Sequence, residues 1–253
     1  MSHGDKQPKR SREERDFLAA YDASAFPHPS VAVDVALITV EDAELRVLLI
    51  QRDEHPDLGR WSLPGGFIQL DEALDAAAAR VLARDAGVTD VWLEQLYTFG
   101  EPDRDPRTRV ITVAHHALVP AATLRRGTEE RSDRRLARIV VPWKGDRGEP
   151  VRAIDEDDVE LPLAFDHAAI LGTVVQRLRG KLDYAALGFE LLPKRFTLRE
   201  LQEVHEAVLG RRLNKDSFRR RILASGLVTA TGQKEADVVH RPAELFRFVR
   251  RRR

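Results

Sequence analysis

The stretch from Gly65 to Val88, GGFIQLDEALDAAAARVLARDAGV, constrains the fold of this chain more than any other. Four consecutive alanines favour a helix. Gly87 supplies the residue that ends one in the left-handed region, and Asp71 is placed to cap its start, so a helix is expected from Asp71 to Ala86. Upstream, HPDLGRWSLPGG (55–66) has the Pro and Gly of a loop. Before that, SVAVDVALITV (30–40) and LRVLLIQR (45–52) are β-branched runs parted by the polar EDAE, which reads as a hairpin. Downstream, VWLEQLYTFG (91–100) and RVITVAHHALVP (109–120) read as strands flanking the loop EPDRDPRT. Residues 123–135 are charged and read as a loop or short helix, and ARIVVPW (137–143) as one more strand. AFDHAAILGTVVQRLRGKLD (164–183) is an amphipathic helix leading into a last module.

The 253 residues suffice for one large domain or two modest ones. With no cysteine, disulfide frameworks and thiolate metal sites are excluded. No apolar run approaches the roughly 20 residues that span a bilayer, and MSHGDKQPKRSREERDFLAA is too charged for a signal peptide. The expected location is therefore cytoplasmic, with no membrane partner. The net charge of zero hides an asymmetry. Residues 194–253 carry 16 Lys and Arg against 7 Asp and Glu, whereas residues 1–193 carry 25 against 34. Such a split suggests two modules with different partners, the basic one suited to nucleic acid. The plainer alternative is a solvated basic tail, since VRRRR ends the chain. Residues 1–29, polar and with prolines at 27 and 29, read as a mobile arm.

WSLPGGFIQLDEALDAAAARVLARDAGV (61–88) resembles the Nudix box and the loop before it. Gly66, Glu72, Arg80, Leu82, Gly87 and Val88 stand at the family's framework positions. The resemblance implies an α/β/α sandwich and, in active members, a Mg²⁺ site on the helix. Here the three family acids fall on Val81, Arg84 and Asp85, positions i, i+3 and i+4 that share a helix face. Mg²⁺ requires hard oxygen ligands in near-octahedral array, which one aspartate, a valine and an arginine do not provide. No catalytic residue, no metal and no cofactor are therefore expected. Arg84 could neutralise a bound diphosphate without polarising it; the alternative is an exposed arginine paired with a nearby acid. Glu72 and Arg80 are expected to form an internal ion pair. His115 and His116 lack a third ligand at metal spacing, so zinc is not expected.

In YTFGEPDRDPRTRVITVAHHALV (97–119), Phe99 and Tyr97 offer flat faces for a base, the alternative being a place in the core. Arg104, Arg107 and Arg109 offer charge to phosphates, and Asp105 an acceptor for ribose hydroxyls. With Arg52 and Arg84 these give the candidate effector-binding set: Arg52, Arg84, Phe99, Arg104, Asp105 and Arg107.

In FTLRELQEVHEAVLG, Thr197 with Glu200 forms a capping-box pattern, Leu198, Leu201, Val204 and Val208 form an apolar stripe, and Gly210 is a stop. After the short RRL, Asn214 caps and Gly226 ends a second helix. Two short helices so tightly linked form a helix-turn-helix. Phe218, Ile222 and Leu223 are expected to point inward, with Ser217, Arg220, Arg221 and Ala224 on the outer face as the readers of base edges. Arg219 at the boundary, Lys215, and Lys234 and Arg241 in the following strand–wing–strand segment are expected phosphate contacts. Thr197 completes the candidate DNA-binding residues.

The two stretches 97–119 and 177–223, in this order, resemble the NrtR-type Nudix-related transcriptional regulators of NAD metabolism, with a resemblance that covers roughly residues 30–248. It implies an α+β chain: a Nudix α/β/α sandwich followed by a winged helix-turn-helix. The expected division is an arm (1–29), a Nudix-like effector-binding domain (30–155), and a linker helix with a winged helix-turn-helix DNA-binding domain (156–253). The implied function is a non-enzymatic regulator, a repressor of NAD synthesis or salvage genes that senses ADP-ribose or a related nucleotide. A homodimer on palindromic double-stranded DNA is expected, because one recognition helix reads only a few base pairs. Two alternatives remain: a Nudix hydrolase of ADP-ribose or another nucleoside diphosphate derivative whose basic tail binds nucleic acid non-specifically, and a regulator that senses a sugar or another nucleotide.

Overall fold

The structure, a computed structural model, describes residues 10–89, 91–128, 131–145, 147–182, 187–236 and 241–249. Within the expected arm, α1 (Arg12–Ala20) forms an exposed helix capped by Ser11 Oγ, which accepts from the Glu14 N–H. It buries no residue of its own. The first nine residues lie outside the described set.

The expected hairpin forms from β1 (Ser30–Glu41) and β2 (Glu44–Gln51). Asp42 and Ala43 both have positive φ, 54° and 58°, the geometry that matches a two-residue turn to the strand twist. β3 (Trp61–Ser62) and β4 (Gly65–Phe67) pair with β2 and β1. β5 (Leu93–Phe99), β6 (Val110–Leu118), β7 (Arg134–Val140), β8 (Arg152–Ile154) and β9 (Glu160–Leu161) complete a sheet of order β5-β6-β1-β2-β7-β8-β9. β1 runs parallel to β6 and antiparallel to β2. β8 and β9 were not anticipated, and the sheet extends past the expected boundary at residue 155 as far as Leu161.

Strand alternation sets the layers. Val33, Val35 and Leu37 face one apolar cluster, with Ala77, Ala78, Val81 and Leu82 of α2 (Leu74–Ala86) and Leu124 of α3 (Ala121–Thr128). Ala36 and Ile38 face the other, beneath Ile170, Leu171 and Val174 of α4 (His167–Lys181). Helices therefore cover both faces of the sheet. Gly87 ends α2 at φ 64°, as expected. The start differs: α2 begins at Leu74 with Ala73 at the cap position, and Asp71 does not cap it. Before it, Glu72 accepts from the Gln69 N–H and from Arg80.

The α4 cluster continues through Leu178 into the second module, where Leu201, Val204 and Val208 of α6 (Leu198–Leu209) and Phe218 and Ile222 of α7 (Lys215–Ser225) join it. A short α5 (Leu187–Glu190) precedes α6. The capping box at Thr197 and Glu200 forms as expected, as do the Asn214 cap and the left-handed stops at Gly210 and Gly226. The turn between α6 and α7 is fastened by the buried Glu206, whose carboxylate accepts from the Leu213 N–H at 2.7 Å, from Gln202 at 2.9 Å and from Arg212 at 3.1 Å. β10 (Val228–Lys234) and β11 (Glu244–Phe248) form the antiparallel wing strands. Residues 237–240 of the expected wing and 250–253 of the basic tail lie outside the described set.

α4 sits close to the segment before β8. A Cβ on Gly172 would lie 2.1 Å from the Glu149 carbonyl oxygen, whereas one on Gly180, in the same helix, would meet nothing within 4 Å. Gly172→Ala is therefore expected to destabilise the protein by about 1–3 kcal/mol through overpacking, and Gly180→Ala to stabilise it by about 0.5–1 kcal/mol. Urea midpoints at unchanged slope measure both; equal shifts of one sign would contradict this packing of α4.

Candidate functional site

A cavity of about 310 Å³ opens where β1, β4, the end of α2, the loop 101–108 and the start of α4 converge. It gathers five of the six expected effector residues: Arg52, Arg84, Arg104, Asp105 and Arg107. Phe99 is elsewhere. It packs edge-to-face on Tyr97, 5.3 Å between rings, beside Thr173, Gln176 and Arg177 of α4, because its strand turns that side toward the core. The aromatic faces at the cavity belong instead to Phe67 and Phe165.

Each cationic side chain in the cavity has a partner. Arg84 donates to both carboxylate oxygens of Asp85 and, at 2.8 Å, to the Gly65 carbonyl. Arg107 donates to both oxygens of Asp105, at 3.0 and 2.7 Å. This pair, ahead of burial, holds the Asp105 carboxyl below its ordinary pKa. Arg52 donates to the Pro56 carbonyl at 2.7 Å and lies 4.8 Å from the Phe165 ring centroid. Arg104 is the most enclosed, its side chain 5% exposed. It donates to both oxygens of Asp166, at 2.9 and 2.6 Å, and lies 3.5 Å from Asp34. Burial opposes its charge, but Asp166 and Asp34 outweigh it and raise the guanidinium pKa. Burial likewise pushes the Asp34 carboxyl up; His167, Thr112 and Arg104 outweigh it and leave Asp34 ionised. The Leu63 N–H donates to His167 Nδ1 at 2.9 Å, so the ring proton is on Nε2, facing Asp34 at 3.6 Å. Gly65 is required here: a Cβ would stand 2.4 Å from Asp34 Oδ1.

These residues do not fit the divalent ion of an active Nudix helix. Val81 is fully buried in the core, Arg84 is a cation, and both oxygens of Asp85 are occupied by Arg84. Among the described residues, no group of three or more His, Asp or Glu could hold a metal. Glu72 and Arg80 form the expected ion pair, at 2.6 and 2.7 Å, and Arg80 also reaches the Phe67 carbonyl. His115 and His116 are buried in β6, where burial lowers the pKa of His116 to about 4.

Asp34, Phe67, Phe165, Asp166 and His167 were missed as site residues. Asp34 did leave a signal, a carboxylate inside an apolar strand run. The Phe165–His167 segment left none, because it meets the helix box only through the tertiary fold.

On the second module, Lys215, Ser217, Arg219, Arg220 and Arg221 of α7 are exposed, as are Lys234 and Arg241 at the wing. Phe218 and Ile222 face inward as expected, but Leu223 is 43% exposed. At 100° per residue Leu223 falls well round from the Phe218–Ile222 axis, which puts it on the outer face with Arg220. Arg221 lies against the Phe218 ring at 5.8 Å, on the flank of that face. Thr197 is 4% exposed and its Oγ accepts from the Glu200 N–H, so it builds the helix start rather than standing on the outer surface. Among the described residues, no helix is long and apolar enough to cross a membrane.

The family model for the NrtR DNA-binding winged helix domain matches residues 188–248, and that for the NUDIX domain matches residues 29–147. The chain is 37% identical over 237 residues to the ADPR responsive transcriptional repressor NtrR of Acinetobacter baylyi, covering 93% of this chain and 88% of that one. It is 30% identical to an ADP-ribose pyrophosphatase of Methanocaldococcus jannaschii over 51% of this chain and 72% of that one. The crystal structure of Shewanella oneidensis NrtR complexed with a 27mer DNA superposes with a TM-score of 0.70 at 36% identity, covering 87% of this chain and 93% of that one. With both modules matched in the observed order, the chain belongs to the NrtR family of Nudix-related transcriptional regulators.

Proposed function

We propose that this chain is a transcriptional repressor of NAD biosynthesis or salvage genes that senses ADP-ribose, or a closely related nucleotide, in a Nudix domain unable to hydrolyse it. The observation that carries this reading is the Arg84–Asp85 pair over a buried Val81. The ligand-framing glycine loop and helix are retained while the metal template is gone, and the domain shares one core with an exposed basic helix. The resemblance to an ADPR responsive repressor supports the same choice over a hydrolase.

Arg52, Arg84, Arg104 and Arg107 surround the diphosphate of the ligand, and Asp105 meets a ribose. A homodimer presents two copies of α7 to the half-sites of a palindromic operator. Arg220 and Ser217 read base edges, with Arg221 at the flank, while Lys215, Arg219, Lys234 and Arg241 contact phosphates. Leu223, on the outer face, suits a thymine methyl.

With Mg²⁺ or Mn²⁺, the purified protein is expected to turn over ADP-ribose far more slowly than about 1 per second, the low end of ordinary enzyme rates. Sustained turnover at that rate would contradict the reading.

Replacing Arg220 by Ala is expected to cost about 1–3 kcal/mol on the operator and to relax specificity at one base pair. Lys215→Ala should weaken operator and random DNA alike and reduce the salt slope by about one unit. Titrations at several salt concentrations separate the two roles. If Arg220→Ala and Arg221→Ala both leave operator and random DNA affinities unchanged, α7 is not the reading helix.

A further inference from the structure

The wall of the effector cavity is also the first turn of α4, and several contacts seat that turn. The Ala164 N–H donates to the Trp61 carbonyl and the Phe165 N–H to Asp57. Phe165 holds a left-handed φ of 51° under the Arg52 guanidinium, a conformation that costs an aromatic residue energy and persists where neighbours impose it. Asp166 occupies the N-cap position of α4, yet its side chain makes no cap hydrogen bond. Both carboxylate oxygens are turned to Arg104. Toward the other end of α4, about 20 Å from Asp166 at 1.5 Å per residue, Arg179 donates to the Val208 carbonyl of α6 and lies 4.8 Å from the Trp143 ring centroid. α4 is thus a strut held by the cavity at one end and by the helix-turn-helix at the other.

We propose that the Arg104–Asp166 pair is the latch through which cavity occupancy sets the position of the DNA-binding domain. The inference rests on the reading of the cavity as the effector site. Asp166 has two mutually exclusive uses. It can hold Arg104, as here, or cap its own helix as N-terminal aspartates ordinarily do. An anionic diphosphate in the cavity competes for Arg104. When Arg104 turns to the ligand, Asp166 is released to cap α4, Phe165 leaves its strained conformation, and the shift of the first turn is carried along the strut to the helix-turn-helix. The latched arrangement is the DNA-competent one. Asp166 is a positioning residue: it touches neither the operator nor the ligand.

Asp166→Asn keeps a good cap but loses the charge that holds Arg104; Asp166→Ala loses both. The test measures operator affinity and ADP-ribose affinity for the full chain and both variants, each with and without the other ligand, at one salt concentration. Asp166→Asn should bind operator at least about 5-fold more weakly than wild type without any nucleotide, bind ADP-ribose more tightly, and retain a coupling within about twofold of unity. Asp166→Ala should lie between Asn and wild type in operator affinity, whereas simple damage to folding would make Ala the worse variant. Unchanged operator affinity and coupling in Asp166→Asn, or Ala weaker than Asn, would overturn the latch. If wild type itself shows no coupling, the effector reading fails, while the nucleotide-free order of wild type, Ala and Asn still decides whether Asp166 holds the strut.

Discussion

Burial of α4 on two sides is the constraint on which the rest of the structure depends. Ile170, Leu171 and Val174 close one face of the sheet, and Leu178 continues the same cluster toward Leu201 and Val204 of α6. Burying each such side chain contributes about 1.5–3 kcal/mol, so neither module completes its core without this helix. The absence of a side chain at Gly172 allows the approach to Glu149, and Trp143 donates to that same Glu149 carbonyl. A two-domain protein joined by a flexible linker would transmit little between its parts; a shared helix in a common core moves both or neither.

Charge in the cavity follows from this arrangement. Arg52, Arg84, Arg104 and Arg107 line it, but so do Asp34, Asp53, Glu54, Asp85 and Asp105. An incoming diphosphate meets no bare cationic surface. On the reading proposed above, a bound diphosphate would have to displace the carboxylates of Asp85, Asp166 and Asp105 from Arg84, Arg104 and Arg107, so only the difference between the two sets of hydrogen bonds would appear as affinity. In the proposed latch, such an exchange would turn binding energy into a conformational signal, since a ligand shifts an equilibrium only by its differential interaction with the two states. The same pairing explains the lost chemistry. Asp85 is neutralised by Arg84, which itself stands at one of the family's acid positions, and the first of those positions, Val81, has become core.

Much of this was legible in the sequence because it is written locally. The Gly87, Gly210 and Gly226 stops, the Thr197–Glu200 and Asn214 caps and the β1–β2 hairpin are each set by residues within a few positions of one another. Where sequence reasoning failed, a longer-range competitor decided. Asp71 falls short of capping α2 because the helix starts only at Leu74, and Leu223 faces outward because it lies well round from the Phe218–Ile222 axis. Phe99 went to the face of α4 rather than to the cavity. The helix Arg12–Ala20 was hidden in a polar segment that buries nothing. The largest omission, Phe165 to His167, lies about a hundred residues from the loop it completes, and no periodicity or spacing connects the two.

The central claim is that occupancy of the cavity and occupancy of the operator exclude each other energetically. Its most direct test is ADP-ribose affinity at one salt concentration with and without saturating operator DNA. Reciprocity requires operator to weaken ADP-ribose binding by the same factor that ADP-ribose weakens operator binding, about 5- to 150-fold. Equal ADP-ribose affinities in the two titrations would contradict the account, however tightly each ligand binds alone.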